Sequence, residues 1–266
     1  GLFDHPIPIA ALVGDQQAAL FGQTCFDAGN VKNTYGTGCF LLMNTKEKII
    51  HSQHGLLTCV GWRIRGQTAY VLEGSVFVAG AAIQWLRDGL AIISSSSESE
   101  SRAKQVNDCD GVYVVPSFTG LGAPYWKPQV KGGILGLTRG TKQEHIIRAT
   151  IESLAYQTSD VVFAMQEDSG LAIKKMQVDG GASRNDFLLQ FQSDILNTQV
   201  IRSTISETTA LGAAYLAGLA VGVWKHQDDI RKQFQVASIF EPMMEEENRI
   251  AHLNGWKRAI HAIMEF

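Results

Sequence analysis

Between residues 175 and 202 the chain places a strand, a pair of glycines, a helix and a second strand in one short run. Residues 175–179, Lys-Met-Gln-Val-Asp, suit a buried strand that enters the turn Gly180-Gly181. Residues 185–196 carry apolar side chains at helical spacing, and residues 199–202 return to strand-like composition. Such an alternation buries its apolar faces only when helices lie on a sheet.

The earlier part of the chain is built from hairpins. Residues 31–44, with Tyr35-Gly36-Thr37-Gly38 at their centre, read as two strands around a glycine-containing turn. Residues 56–63 and 68–72 form a second hairpin that turns near Arg65-Gly66-Gln67. Ahead of both, residues 7–13 are a short apolar run, read as a strand that ends at Gly14-Asp15-Gln16. A helix is expected over 75–88, then a polar loop over 94–101 leading into a helix towards Val106. Residues 111–116 read as a buried strand stopped by Pro116. The clearest helix covers 142–168, with Thr141 and Glu144 as a capping box and Gly170 at its left-handed end. The small-residue run 210–224 is 15 residues long, too short to span a bilayer, and reads as a buried helix. A polar helix closes the chain near Met264. Hairpins followed by alternating helices and strands point to one α/β domain over 1–266, with a mixed sheet flanked by helices.

Composition removes several function classes. The net charge of −3 leaves no basic footprint for nucleic acid or an anionic membrane. Cys25, Cys39, Cys59 and Cys109 are widely spaced and never form Cys-x-x-Cys, which argues against a zinc site and a disulfide framework. Reduced thiols in a cytoplasmic protein are expected. The chain opens Gly1-Leu2-Phe3-Asp4, without an initiating Met or the basic region of a signal peptide, so a fragment of a longer protein is expected.

Neither a P-loop nor a complete Gly-x-Gly-x-x-Gly after a strand occurs, so any phosphate must be held by shorter glycine turns. Gly36-Thr37-Gly38 can converge backbone N–H groups and a hydroxyl on an anion, or can simply turn a hairpin. Val178-Asp179-Gly180-Gly181-Ala182 runs from strand to helix, where helix-start amides suit a phosphate or the edge of a nucleotide, although a glycine pair also permits close packing. Asn185, four residues past Gly181, falls on the same face of that first turn. Asp15, after the first apolar run, can take a proton from an alcohol, and Gln16 can orient that alcohol; an Asp after a strand can equally be a helix cap.

The wording of these segments is specific. Gly14-Asp-Gln-Gln-Ala-Ala-Leu-Phe-Gly22, Lys32-Asn-Thr-Tyr-Gly-Thr-Gly-Cys-Phe40 and Gly120-Leu-Gly-Ala-Pro-Tyr-Trp126 occur in order. Val178-Asp-Gly-Gly-Ala182 and Glu207-Thr-Thr-Ala-Leu-Gly-Ala-Ala214 come after them. Over nearly its whole length the chain resembles the glycerol kinases of the FGGY carbohydrate kinase family, and so the C-terminal lobe of a two-lobe kinase with the actin-like ATPase, ribonuclease H-like fold.

That resemblance implies ATP-dependent phosphorylation of glycerol to glycerol 3-phosphate. By it, Asp15 is the general base for the terminal hydroxyl of glycerol, Gln16 hydrogen-bonds the polyol, and Phe40 walls its C–H face. Gly36 and Thr37 sit against the transferring phosphate, Gly80 and Gln84 contact the nucleotide, and Gly181, Ala182 and Asn185 line the adenosine side. ATP and Mg2+ are the implied cofactors. An N-terminal lobe absent from this chain would carry the first phosphate loop, the main magnesium ligand and an Arg-Glu pair for glycerol. The isolated chain is therefore expected to be inactive, and the intact enzyme a homo-oligomer, dimer or tetramer. Pro6 stands where some bacterial relatives use an arginine for fructose bisphosphate, so that inhibition is not expected here. The alternatives are another FGGY polyol or sugar kinase, and a non-transferring actin-like nucleotide-binding lobe.

Overall fold

Two hairpins and a strand–helix–strand unit meet in a single seven-stranded sheet. A computed structural model describes residues 5–266; residues 1–4 of the domain expected over 1–266 lie outside the described residues. Helix α1 (Asp15–Gly22) precedes strands β1 (Val31–Tyr35), β2 (Cys39–Lys46), β3 (Leu57–Ile64) and β4 (Gln67–Val76). Helices α2 (Gly80–Asp88) and α3 (Glu98–Ala103) come next, then the short strands β5 (Tyr113–Val115) and β6 (Gly133–Leu135). The long helix α4 (Gln143–Ser169) leads into β7 (Lys175–Asp179), α5 (Asp186–Leu196) and β8 (Gln199–Ser203). Helices α6 (Thr208–Val221) and α7 (Gln227–Arg231), strand β9 (Val236–Phe240) and helix α8 (Glu246–Glu265) complete the chain.

The sheet order is β3-β4-β2-β1-β7-β8-β9. The β1–β7 and β7–β8 pairs are parallel and every other pair is antiparallel, so the sheet is mixed. The β3–β4 hairpin turns through Arg65 and Gly66, both at positive φ (50° and 86°), the geometry that matches strand twist. Strands β5 and β6 pair separately as a two-stranded ribbon.

Alternation along β1 and β2 sends side chains into two different cores. Val31, Tyr35, Cys39, Leu41 and Met43 enter the larger one, which α4 and α5 cover with Ile151, Leu154, Leu188 and Leu189. Trp256 and Ile260 of α8 join it. Leu42 enters the smaller core on the opposite face, with Leu20 and Phe21 of α1 and Tyr215, Leu216 and Leu219 of α6.

The sequence reading is corrected in five places. Residues 7–13 form no strand; Ile9 and Leu12 are 91% and 97% exposed, and Pro6 and Pro8 lack the N–H a ladder needs. Asp15 therefore opens a helix rather than ending a strand. The helix expected from Ser75 starts at Gly80, because β4 runs on to Val76 beside β2. At α4 the capping contact is one residue later than expected: the His145 ring accepts the Lys142 N–H at 3.1 Å, and Thr141 instead accepts the N–H of Thr138. The small-residue helix α6 is buried on one side only, leaving Ala210, Ala214, Ala220 and Val221 exposed. Finally, residues 182–184 form a 3-10 turn, so Asn185 does not lie in a helical first turn begun at Gly181; it is the N-cap of α5. Strands β6 and β9 and helix α7 were not foreseen.

The α1–α6 contact fixes where α1 points. A Cβ on Gly212 would fall inside the van der Waals shell of the Ala18 carbonyl, and one on Gly22 would meet the Thr208 carbonyl. The two helices thus cross backbone to backbone, with no side chain between them. Gly212→Val is expected to cost about 3 kcal/mol, the upper range for overpacking. A urea titration should show it as a lower midpoint at unchanged slope.

Candidate functional site

Strand β1 ends at Tyr35, one residue past the Thr34–Asp179 pair, and parallel β7 ends at Asp179, so both glycine turns emerge at the same end of the sheet. Between them lies a cavity of about 420 Å³, a volume typical of small-molecule sites. Gly36 and Thr37 form its floor, Gly80, Ile83 and Gln84 of α2 one wall, and Ile151 and Leu154 of α4 its back. Gly181, Ala182, Asn185 and Leu188 supply the wall on the β7–α5 side.

The floor is rigid because α2 is tied to it. Ala79 and Ala81 donate to the Thr37 carbonyl at 2.8 and 3.1 Å, and Gly80 donates to the Gly36 carbonyl at 3.0 Å. A Cβ on Gly80 would sit 2.5 Å from that carbonyl oxygen, so only glycine allows the approach. The Gly36 N–H closes the turn on the Gly38 carbonyl at 2.9 Å. The N–H and hydroxyl of Thr37 have no partner among the described residues, and the residue is exposed. Backbone donors at a glycine turn in such a setting suit an anion.

The opposite wall is braced by Arg202. Its guanidinium donates to the Ser183 carbonyl at 2.9 Å, to Asp186 at 2.7 Å and to the Ser238 hydroxyl at 2.8 Å. The Ser183 hydroxyl donates to the Gly180 carbonyl at 2.7 Å. Asn185 accepts the Leu188 N–H on its side-chain oxygen at 2.9 Å, which leaves its NH2 without a partner among the described residues.

A third wall was not legible as a site in the sequence. Ser96, Ser97, Ser99 and Glu100 line the cavity on the α3 side. Arg102 holds this segment to α4 through Glu144 at 2.8 Å, and Glu100 accepts the Asp186 N–H at 3.3 Å. These residues belong to a run of Ser and Glu that carries no motif; only its position after the α2 helix could have suggested a wall.

Asp15, Gln16 and Phe40 do not line this cavity. Phe40 pairs with Thr34 across β1–β2 and is half-exposed, on the sheet face opposite the α4 core. Asp15 is exposed at the first position of α1; the cap is Gly14, and the Asp15 carboxylate accepts the Gln16 N–H at 2.8 Å. The sequence-marked residues thus form two groups. Gly36, Thr37, Gly80, Gln84, Gly181, Ala182 and Asn185 share one cavity. The α1 residues and Phe40 lie beyond it, towards the α1 face of the sheet.

Beneath α1 is a buried polar layer that the sequence reading passed over. Lys32 on β1 is fully buried, and its ammonium donates to the Gln16 side-chain oxygen and to the Thr34 hydroxyl, the latter at 3.0 Å. Burial pulls its pKa down to about 8, against the opposing pull of Asp179, Glu73, Cys25 and Asp15. Asp179 accepts the Thr208 hydroxyl on one oxygen, and its other oxygen has no partner among the described residues. A charged residue inside a strand of buried residues was the signal available for Lys32.

Residues 31–221 match the family model described as the FGGY family of carbohydrate kinases, C-terminal domain. A glycerol kinase of Geobacillus sp. (strain WCH70) is 60% identical over 264 residues, covering 99% of this chain and 53% of that protein. A glycerol kinase of Thermus thermophilus is 59% identical over the same shares. The chain thus spans about half the length of the relatives it matches. Among solved structures, Plasmodium falciparum glycerol kinase with ADP superposes with TM-score 0.90 at 37% identity, over 94% of this chain and 50% of that one. Xylulose kinase from Lactobacillus acidophilus, at 19% identity and TM-score 0.80 over 94% and 49%, shares the fold. The mixed sheet is therefore that of the actin-like, ribonuclease H-like sugar kinases.

Arg202→Ala removes the two bonds that tie the 180–186 turn to β8, to the Ser183 carbonyl and to Asp186, together with the bond to Ser238 on β9. Amide hydrogen exchange in that turn is expected to accelerate about tenfold or more, since bonds to charged groups are worth about 1.5–3 kcal/mol each. Exchange in the α4 core should stay unchanged.

Proposed function

The chain belongs to the FGGY family of carbohydrate kinases, and from that membership we propose that it is the C-terminal lobe of a glycerol kinase, which transfers the terminal phosphoryl group of ATP to glycerol. The observation that carries this reading is the shared cavity of Gly36, Thr37, Gly80, Gln84, Gly181 and Asn185, with Asp15 and Gln16 on the neighbouring face of the same sheet. Identity near 60% to glycerol kinases along 99% of the chain supports the choice of substrate over other polyols and sugars.

In this reading the adenosine lies against Gly181, Ala182 and Asn185, and the Gly36–Thr37 backbone receives the phosphate chain. Asp15 takes the proton from the terminal hydroxyl of glycerol as its oxygen attacks the γ-phosphorus, and ADP departs. Gln16 hydrogen-bonds the polyol, and Phe40 covers its C–H face. Asp15 favours a transferase over a non-transferring actin-like lobe, because a base at that place has a ready role in deprotonating the alcohol that attacks.

Among the described residues no group of three or more His, Cys, Asp or Glu side chains could hold a metal ion. The magnesium that accompanies ATP would take its main protein ligand from the N-terminal lobe, and no step here runs through it. That lobe would also supply the first phosphate loop and further glycerol contacts. We read residues 1–266 as one domain of a cytoplasmic homo-oligomer, dimer or tetramer. No helix among the described residues is long and apolar enough to cross a membrane.

In the two-lobe enzyme, Asp15→Asn is expected to lower glycerol-dependent ADP release by about 10²–10⁴-fold, the usual share of a general base. Nucleotide affinity should be unchanged. Full turnover by the variant would return Asp15 to a structural role. The purified chain alone should bind nucleotide weakly and give no steady turnover, since positioning supplies about 7–11 kcal/mol in well-oriented reactions. Steady phosphorylation of glycerol by the chain alone would refute the two-lobe reading.

A further inference from the structure

The buried polar layer under α1 has a fixed order of donors and acceptors because one of its members can only donate. A lysine ammonium carries three N–H donors and no acceptor. The orientation of a glutamine amide is ordinarily ambiguous, and the partner settles it. Since Lys32 meets the Gln16 side chain, the atom it meets must be the amide oxygen. The Gln16 NH2 is then the free half of the amide, with no partner among the described residues. Gln16 is only partly buried and comes directly after Asp15, so its free donor and the Asp15 carboxylate leave α1 from adjacent positions.

We propose that Lys32 is a positioning residue for the phosphoryl acceptor: it holds Gln16 by its oxygen and so presents the Gln16 NH2 to the hydroxyl oxygen of the alcohol that Asp15 deprotonates. This rests on the acceptor role given above to Asp15 and Gln16. The division of labour comes from the alcohol itself. A hydroxyl has one proton to give and lone pairs to receive. Asp15 takes the proton, and a Gln16 donor on a lone pair fixes the oxygen without competing for it. Were the Gln16 oxygen presented instead, two acceptors would contend for one proton.

Lys32 is suited to this because it cannot move. It is fully buried on the central strand β1, its second donor engages Thr34, and Thr34 lies opposite Asp179 across the parallel pair. With a pKa near 8 it is mostly an ammonium at neutral pH, so it keeps its donors and its charge.

The test uses the two-lobe enzyme with wild type, Gln16→Glu, Gln16→Ala, Lys32→Met and the double variant Gln16→Ala/Lys32→Met. Glutamate can still accept from Lys32 but offers the alcohol no donor. Gln16→Glu should therefore raise the KM for glycerol about tenfold or more, with the KM for ATP within about twofold. Lys32→Met should raise the KM for glycerol similarly, and adding Gln16→Ala to it should change that value by less than about twofold, because the two residues act as one unit. Gln16→Glu with a near wild-type KM would mean that the oxygen faces the alcohol, and would overturn the proposal. So would multiplicative effects in the double variant, or a parallel loss of ATP affinity. If Lys32→Met does not fold, Gln16→Glu decides alone. A wild-type enzyme that phosphorylates no polyol would refute the underlying functional reading, and that outcome is recognisable before any variant is compared.

Discussion

The parallel pairing of β1 with β7 is the constraint on which the rest of the molecule depends. With Thr34 opposite Asp179, two strands from distant parts of the sequence deliver their glycine turns at one end of the sheet. The hairpins could form without this pair, and so could the strand–helix–strand unit. Neither alone would make a cavity. Ligand sites at the C-terminal ends of parallel strands obey the same logic across open α/β sheets, because there the backbone turns away and leaves room.

The sheet separates two kinds of environment. On the α4 side the strands bury almost entirely apolar side chains, and the Tyr35 hydroxyl is satisfied by Gln192 at 2.7 Å. On the α1 side the same strands carry Lys32, Asp179 and Gln177 into the interior. Gln177 accepts the Cys25 thiol at 2.9 Å and donates to the Gln23 carbonyl. Buried charge is costly unless paired, and a fold retains it where its geometry does something an apolar core cannot. Here it anchors the first turn of α1. The glycine crossing of α1 on α6 sets the direction of that helix, and the polar layer sets the side chains at its start.

Much of the fold was readable because strand, turn and helix signals agreed. Residues 175–202 are the clearest case: Gly180-Gly181 breaks the strand, and Asn185 caps the helix that begins immediately after it. The failure at residues 7–13 has a definite cause. Apolar composition there suggested a strand, but Pro6 and Pro8 deny it donors, and no strand among the described residues pairs with it. Strand β9 was missed because Val236 and Ile239 are exposed on an edge, where burial imposes no clean alternation. For the site, the glycine turns could be recognised by their wording, whereas the wall at Ser96–Glu100 has none. Lys32 escaped because a single charge in a strand is most often a solvated edge, and only the three-dimensional pairing places it at the centre.

The α2 amides have a consequence for how a phosphate would leave. A free helix N-terminus is a strong anion trap, with several aligned N–H groups and a favourable dipole. Here Ala79, Gly80 and Ala81 are already bonded to the carbonyls of Gly36 and Thr37, so the turn is stiff yet offers an incoming anion few donors. Stiffness without strong retention is what a recycling site needs. In the proposed kinase, a nucleotide held mainly at the Gly181–Asn185 wall, with its phosphates only lightly gripped, would be exchanged once per cycle, and the tight grip would fall to the other lobe.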